Sequence, residues 1–128
     1  MINEIRNTAE GAAVLKDWLG EGGVPVSQEL AERRAMTCTC CPMNVAPRWW
    51  EKARNRVARA MVRQLAVKNS ANISTSLDEN LHVCKKCGCC LPAKVHVPIK
   101  HVADHTRPET LEQMPSFCWV RNEIKDFQ

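Results

Sequence analysis

The chain has no tyrosine, two phenylalanines and four tryptophans in 128 residues. Large aromatic side chains supply much of the buried area in a small domain, so a core drawn from this composition is thin and gains from a staple. Long apolar runs are lacking as well. No uninterrupted segment approaches the roughly 18 residues that cross a bilayer, so no transmembrane helix is expected. Met1-Ile2-Asn3-Glu4-Ile5-Arg6 has no basic start followed by an apolar stretch, and no signal peptide is expected either. The chain also has no internal repeat and no low-complexity tail.

Cysteine is what this sequence has in quantity: eight residues, four of them within Cys84-Lys85-Lys86-Cys87-Gly88-Cys89-Cys90. In C-x-x-C-G two thiolates three apart grip one tetrahedral ion, and the following glycine lets backbone N–H groups turn toward the sulfurs. A second half-site lies upstream at Cys38-Thr39-Cys40-Cys41-Pro42, and Cys118 stands apart near the C-terminus. Thiols of a cytosolic chain stay reduced, which favours metal binding over disulfides. The adjacent pairs Cys40-Cys41 and Cys89-Cys90 also suit separate disulfide bridges poorly. Cys38, Cys41, Cys84 and Cys87 therefore make a candidate zinc site, although a spacer of 42 residues between the half-sites leaves open whether they share one ion. The competing cofactor is a 4Fe-4S cluster: Cys84, Cys87 and Cys90 form C-x-x-C-x-x-C, with Cys41-Pro42 as the remote fourth ligand, but Lys94 stands where the close-spaced motif continues with another cysteine. Cys118, between Phe117 and Trp119, also reads as a buried free cysteine.

The expected fold class is mostly α: a small helical domain with cysteine knuckles and little strand. Residues 1–37 hold two N-terminal helices, 38–45 the first knuckle, 47–68 a basic amphipathic helix, and 84–128 the second knuckle with a C-terminal arm. Thr8 to Leu19 is the first helix, capped by Thr8 and stopped by Gly20-Glu21-Gly22-Gly23; Ser27 caps the second, from Gln28 to about Met36. Pro47 opens the third, from about Arg48 to Lys68. On it Trp50, Ala53, Val57, Met61 and Leu65 gather toward the core or a partner, opposite Arg48, Lys52, Arg56, Arg59 and Arg63. Asn69 to Asn80 is a loop. Lys94 to Lys100 alternates apolar and polar, and Pro98 demotes it to an edge strand or extended arm. Thr106 and Glu109 form a capping box for a short helix from Pro108 to Met114, ended by Pro115, after which the chain returns toward the metal region.

The net charge of +4 is uneven: residues 1–30 balance at −3, residues 31–70 at +7, and the remainder at zero. The positive charge belongs to the third helix. Its stripe Arg48, Lys52, Arg56, Arg59, Arg63 can run along a phosphate backbone with Trp49 stacking, or meet an acidic protein, or simply face solvent. His101 and His105 have the spacing of a metal pair on a helix, but the glutamate of H-E-x-x-H does not accompany them, so they read as surface or capping histidines. Cysteine–histidine nucleophilic catalysis finds little support among thiols that group as ligands, and no enzyme is expected.

Trp18-Leu19-Gly20-Glu21-Gly22-Gly23-Val24-Pro25-Val26, Glu29-Leu30-Ala31-Glu32-Arg33-Arg34-Ala35 and Cys38-x-x-Cys41-Pro42-x-Asn44 form one half of a wider pattern. Cys84-x-x-Cys87-Gly88-Cys89-x-Leu91-x-x-Lys94 with a late Cys118-Trp119 forms the other. Together they resemble small cysteine-rich metal-binding proteins of tailed bacteriophages and prophages, which usually place a proline after the last cysteine where Trp119 stands here. The resemblance implies six ligands, Cys38, Cys41, Cys84, Cys87, Cys89 and Cys118. It also implies a structural protein that docks other phage proteins, made in the bacterial host cytoplasm and carried into the virion.

Overall fold

Trp18 fixes the end of the N-terminal helix. In the computed structural model, which describes residues 2–49, 51–69, 72–86 and 88–127, helix α1 runs Ile2–Gly20. The buried Trp18 indole donates to the Val24 carbonyl at 2.9 Å, and the Gly23 N–H returns to the Trp18 carbonyl at 3.0 Å. Gly22 and Gly23 take φ of 106° and 66°, left-handed values that glycine adopts without steric cost. The helix begins well before Thr8, because no glycine or proline between residues 2 and 8 stops it.

Helix α2, Gln28–Thr39, starts as expected, with the Ser27 hydroxyl accepting from the Leu30 N–H at 3.2 Å. It runs three residues past Met36 and so carries Cys38 in its last turn. Strand β1 is Asn44–Val45. Helix α3, Lys52–Lys68, begins four residues later than expected: the Glu51 carboxylate accepts from the Arg48 N–H at 3.0 Å and holds a turn there, so Pro47 lies outside the helix. The face that α3 buries is Ala58 and Val62, with Leu65 partly buried, while Ala53, Val57 and Met61 are exposed. The apolar stripe is thus rotated by about one residue from the expected one; Trp50 lies outside the described residues.

A 3-10 turn at Asp78–Asn80 leads into strand β2, Val83–Cys84, which pairs antiparallel with β1. Residues 91 to 97 are all buried. They form helix α4, Leu91–Lys94, and a tight turn, not an edge strand or arm. Period-two alternation signals a strand only where one face meets solvent, and this segment is enclosed on every side. Pro92 sits in the first turn, where its missing N–H costs nothing. Helix α5 is Ile99–Asp104 and α6 is Pro108–Gln113. The expected capping box does not form at α6: Arg107 is the cap residue, and the Thr106 hydroxyl donates to the Val102 carbonyl at 2.6 Å. Helix α7, Trp119–Phe127, was not expected; it buries Trp119, Val120 and Ile124 at helical spacing.

The described residues are mostly helical, with seven α-helices and a single two-stranded sheet. Helix α5 packs on α1 and α7, and α4 on α2 and α3, so the stretch 91–102, buried from 91 to 97 and again at His101 and Val102, is the axis of the core. Arg34 fastens it. Its guanidinium is 1 % exposed and donates through Nη1 to the Val95 and Val97 carbonyls at 3.1 and 2.8 Å. Nε and Nη2 grip the two Glu123 oxygens at 3.0 and 2.6 Å, and the group lies 4.2 Å from the Trp119 ring centroid. One side chain so ties α2, the α4–α5 turn and α7. Glu10 of α1, which pairs with Arg107 and accepts from Thr110 at 2.9 Å, joins α1 to α6.

Candidate metal centre

Helix α2 delivers Cys38 into a tight turn. The Cys41 N–H bonds the Cys38 carbonyl at 3.1 Å, and the Asn44 N–H bonds the Cys41 carbonyl at 3.1 Å. The Met43 N–H points at the Cys41 sulfur at 3.4 Å. The second half-site is also held by backbone bonds. The Gly88 N–H bonds the Cys84 carbonyl at 2.8 Å, the Cys84 N–H bonds the Cys89 carbonyl at 3.1 Å, and Gly88 has φ of 68°. Gly88 thus supplies a left-handed turn, with its N–H on a carbonyl oxygen where the spacing implied a sulfur.

These two turns, far apart in sequence, share one small sheet. Asn44 lies opposite Cys84 and Val45 opposite Val83, and the Lys85 N–H bonds the Met43 carbonyl at 2.8 Å. The Asn44 side chain locks the register: its amide donates to the Asn80 carbonyl at 2.8 Å and accepts from the His82 N–H at 2.9 Å. A strand this short carries little stability of its own, so the side-chain clamp and the surrounding helices hold it.

Donors surround the sulfurs. Besides Met43, the Trp119 indole on α7 donates to the buried Cys38 Sγ at 3.2 Å. Sulfur is a strong acceptor chiefly as thiolate, so N–H groups aimed at Cys38 and Cys41 suit a metal-bound pair. The return of the C-terminal segment to the metal region is therefore made by Trp119. Cys118, half-buried, packs its sulfur 3.8 Å from the Met114 sulfur. Cys89, fully buried, faces the Gly11 carbonyl of α1 at 3.6 Å, and a Cβ on Gly11 would come within 3.0 Å of that sulfur. Cys40 is exposed and Cys90 buried, the latter bridging to Val83. Cys87, needed for both the zinc and the iron–sulfur reading, lies outside the described residues. No disulfide joins any two of the seven described cysteines.

Among the described residues, the three ligand atoms gathered within 4.8 Å of one another are those of Asp17, Glu21 and His101; the described thiols form no such group of three. Residue spacing missed this cluster because its two halves come from opposite ends of the chain. The signal was present as two i,i+4 pairs, Asp17 with Glu21 and His101 with His105, neither telling alone. His101 is buried, contrary to the surface reading; His105 is partly exposed.

The stripe Arg48, Lys52, Arg56, Arg59, Arg63 is exposed along its whole length, and Arg59 also donates to the Leu81 carbonyl at 3.3 Å. Trp49 beside it is 84 % exposed. No helix of the described residues is long and apolar enough to cross a membrane. In comparisons with known proteins the chain matches no family model, and neither a curated protein nor a solved structure is similar to it.

Proposed function

We propose that this chain is a zinc-stapled docking protein, a non-enzymatic structural component of a larger assembly, of the bacteriophage-particle kind that its cysteine pattern resembles. The observation that carries the reading is the pairing of Asn44 with Cys84, which sets the segment after the Cys38–Cys41 turn beside Cys84. Zinc bound there by four thiolates joins the α2 end of the chain to the α4–α5 axis, and its binding free energy is also folding free energy. The resemblance adds Cys89 and Cys118 to the ligands. Docking surface is supplied by the exposed Trp49, Val57 and Met61 together with the basic stripe, which suit an acidic structural protein as partner. On this reading the protein is made in the host cytoplasm and ends in the virion.

Elemental analysis of the purified native chain tests it. Zinc at a whole-number ratio is expected, with helical circular dichroism lost on chelation and regained on adding zinc. Chain purified without zinc or iron, its thiols intact, would overturn the staple. Iron with visible absorption would replace zinc by the 4Fe-4S alternative. A second reading, a nucleic-acid-binding regulator, is favoured by the unbroken exposure of Arg48, Lys52, Arg56, Arg59 and Arg63. It requires retention on DNA or RNA at low salt that falls steeply as salt rises, and no retention removes it.

A further inference from the structure

The end of α1 and helix α5 pack together and place two carboxylates against two imidazoles. His101 Nδ1 lies 2.9 Å from Asp17 Oδ2, and its Nε2 lies 3.2 Å from Glu21 Oε2. His105 Nε2 lies 3.2 Å from the same Asp17 oxygen. Lys100 takes the other Glu21 oxygen, Oε1, at 3.3 Å. The His101 side chain is 5 % exposed, and an open recess lined by Trp18, Val24, Pro25, Glu21, Lys100 and His101 reaches it from solvent.

A neutral imidazole has one donor nitrogen and one acceptor nitrogen. Both nitrogens of His101 face carboxylate oxygens, which accept and do not donate when ionised. One of the two contacts is repulsive unless a positive charge reaches the ring itself, because the Lys100 charge sits on the other Glu21 oxygen. The helix makes the same demand, since Asp17 and Glu21 sit at the C-terminal, negative end of α1, whose last turn holds no basic residue. The candidates for that charge are a second proton on the ring or a metal ion. A metal ion can serve because one ligand atom from each of Asp17, Glu21 and His101 lies within 4.8 Å of the other two, a gathering that a single ion can draw together.

We propose that Asp17, Glu21 and His101 form a second metal site for a divalent transition ion of the zinc type, with His105 bonded to Asp17 and steadying that ligand. It is separate from the cysteine knuckles and lies where α1 meets α5. Its donors are nitrogen and oxygen only, borderline ligands that suit zinc, cobalt or nickel and not an iron–sulfur cluster. The Asp17 carboxyl is held below the ordinary carboxylate value, first by its hydrogen bond with His101, with partial burial opposing and the charges of His101 and His105 adding to it. It is ionised and ready to ligate at neutral pH. Such an ion fastens α1 to α5 at the opposite end of α1 from Glu10 and Arg107.

The test is a titration of the full chain, its thiol sites already loaded with zinc, with further Zn2+ or Co2+. Binding of one additional ion is expected, with Co2+ giving the weak visible bands of nitrogen–oxygen ligation and no sulfur charge-transfer band. The ring resonances of His101 and His105 are expected to shift together on adding Zn2+. His101→Ala removes a buried side chain, so Glu21→Gln and His105→Ala, both at partly exposed positions, serve as the variants that keep the fold. Each is expected to weaken the additional ion at least about tenfold and leave the thiol-bound zinc unchanged. Absence of an additional ion, or equal affinity in wild type and both variants, overturns the proposal and assigns the cluster to an imidazolium held by two carboxylates. Because the thiol-bound ions are counted first, failure here is distinct from failure of the zinc-staple reading.

Discussion

Arg34 shows how one residue substitutes for missing aromatic bulk. Its five N–H groups are arranged in a planar fork, and four of its contacts are satisfied by two buried carbonyls and one carboxylate. Removing one partner of such a pair leaves the others buried without it. Arg34→Ala is expected to destabilise the fold by about 3–5 kcal/mol, read as a lower midpoint in urea. Arg34→Lys is expected to recover only part of that loss, since an ammonium cannot span Glu123 and the two carbonyls together. Trp119 poses a subtler case. Trp119→Phe keeps an aromatic ring near Arg34 and removes the indole N–H from Cys38 Sγ. On the zinc-staple proposal such a donor holds a ligand sulfur in place, and the variant is then expected to lose zinc to a competing chelator at about 10- to 100-fold lower chelator concentration with its helical content unchanged.

At the scale of elements, α1 is the piece whose seat depends on a glycine. Gly11 lets the helix lie directly on the second knuckle: a Cβ there would stand 2.9 Å from the Gly88 carbonyl oxygen and 3.0 Å from the Cys89 sulfur. In an open helix interior Gly to Ala gains about 1 kcal/mol. Here the methyl group pushes on backbone, and overpacking costs about 1–3 kcal/mol. Gly11→Ala is therefore expected to lower stability, while Gly20→Ala, with nothing within 4 Å, is expected to be neutral or slightly stabilising. Thermal melts of the two variants side by side separate close packing from helix propensity. Helix α3 has the reverse character. Its buried face is narrow, its flank of Val57 and Met61 borders a groove against α1, and its arginines face solvent, so most of its side chains lie outside the core.

For the whole molecule, acid acts first through His96 and, in a lower range, through the carboxylates of Glu32 and Asp17. Burial pushes the His96 imidazole below its ordinary value of 6.5, with Arg34 adding to the effect and Asp78 and Glu32 opposing it. The folded chain therefore keeps His96 neutral where the unfolded chain takes up a proton, and stability falls as pH drops below about 6.5. Glu32 is held below its ordinary 4.5, first by the Ser76 N–H and then by the Ser76 hydroxyl, so its contribution is present above 4.5 and is lost as pH falls further. Urea midpoints measured between pH 8 and pH 3 are expected to decline in two stages. His96→Gln should flatten the first and Glu32→Gln part of the second. Protonation of thiolates adds metal loss to the acid side, so the series is run with and without a chelator to part the two effects.

The helical class and the first two helices with their Ser27 cap and glycine stop were legible in the residues. Each depends on interactions within a few positions of the chain, which composition and spacing encode directly. The exposure of the basic stripe was legible too, because Lys52, Arg56, Arg59 and Arg63 on one helix face, with Arg48 just before it, have nowhere else to go. What tertiary structure alone decided is where distant pieces meet. Lys94 to Lys100 looked like an arm because alternation cannot reveal that both faces are covered, and α7 went unseen because its buried face exists only against α5 and Arg34. The union of Asn44 with Cys84 and the gathering of Asp17 and Glu21 on His101 and His105 belong to the same class. Pairings between remote residues carry no local signature, and the packed core, not the spacing, selects them.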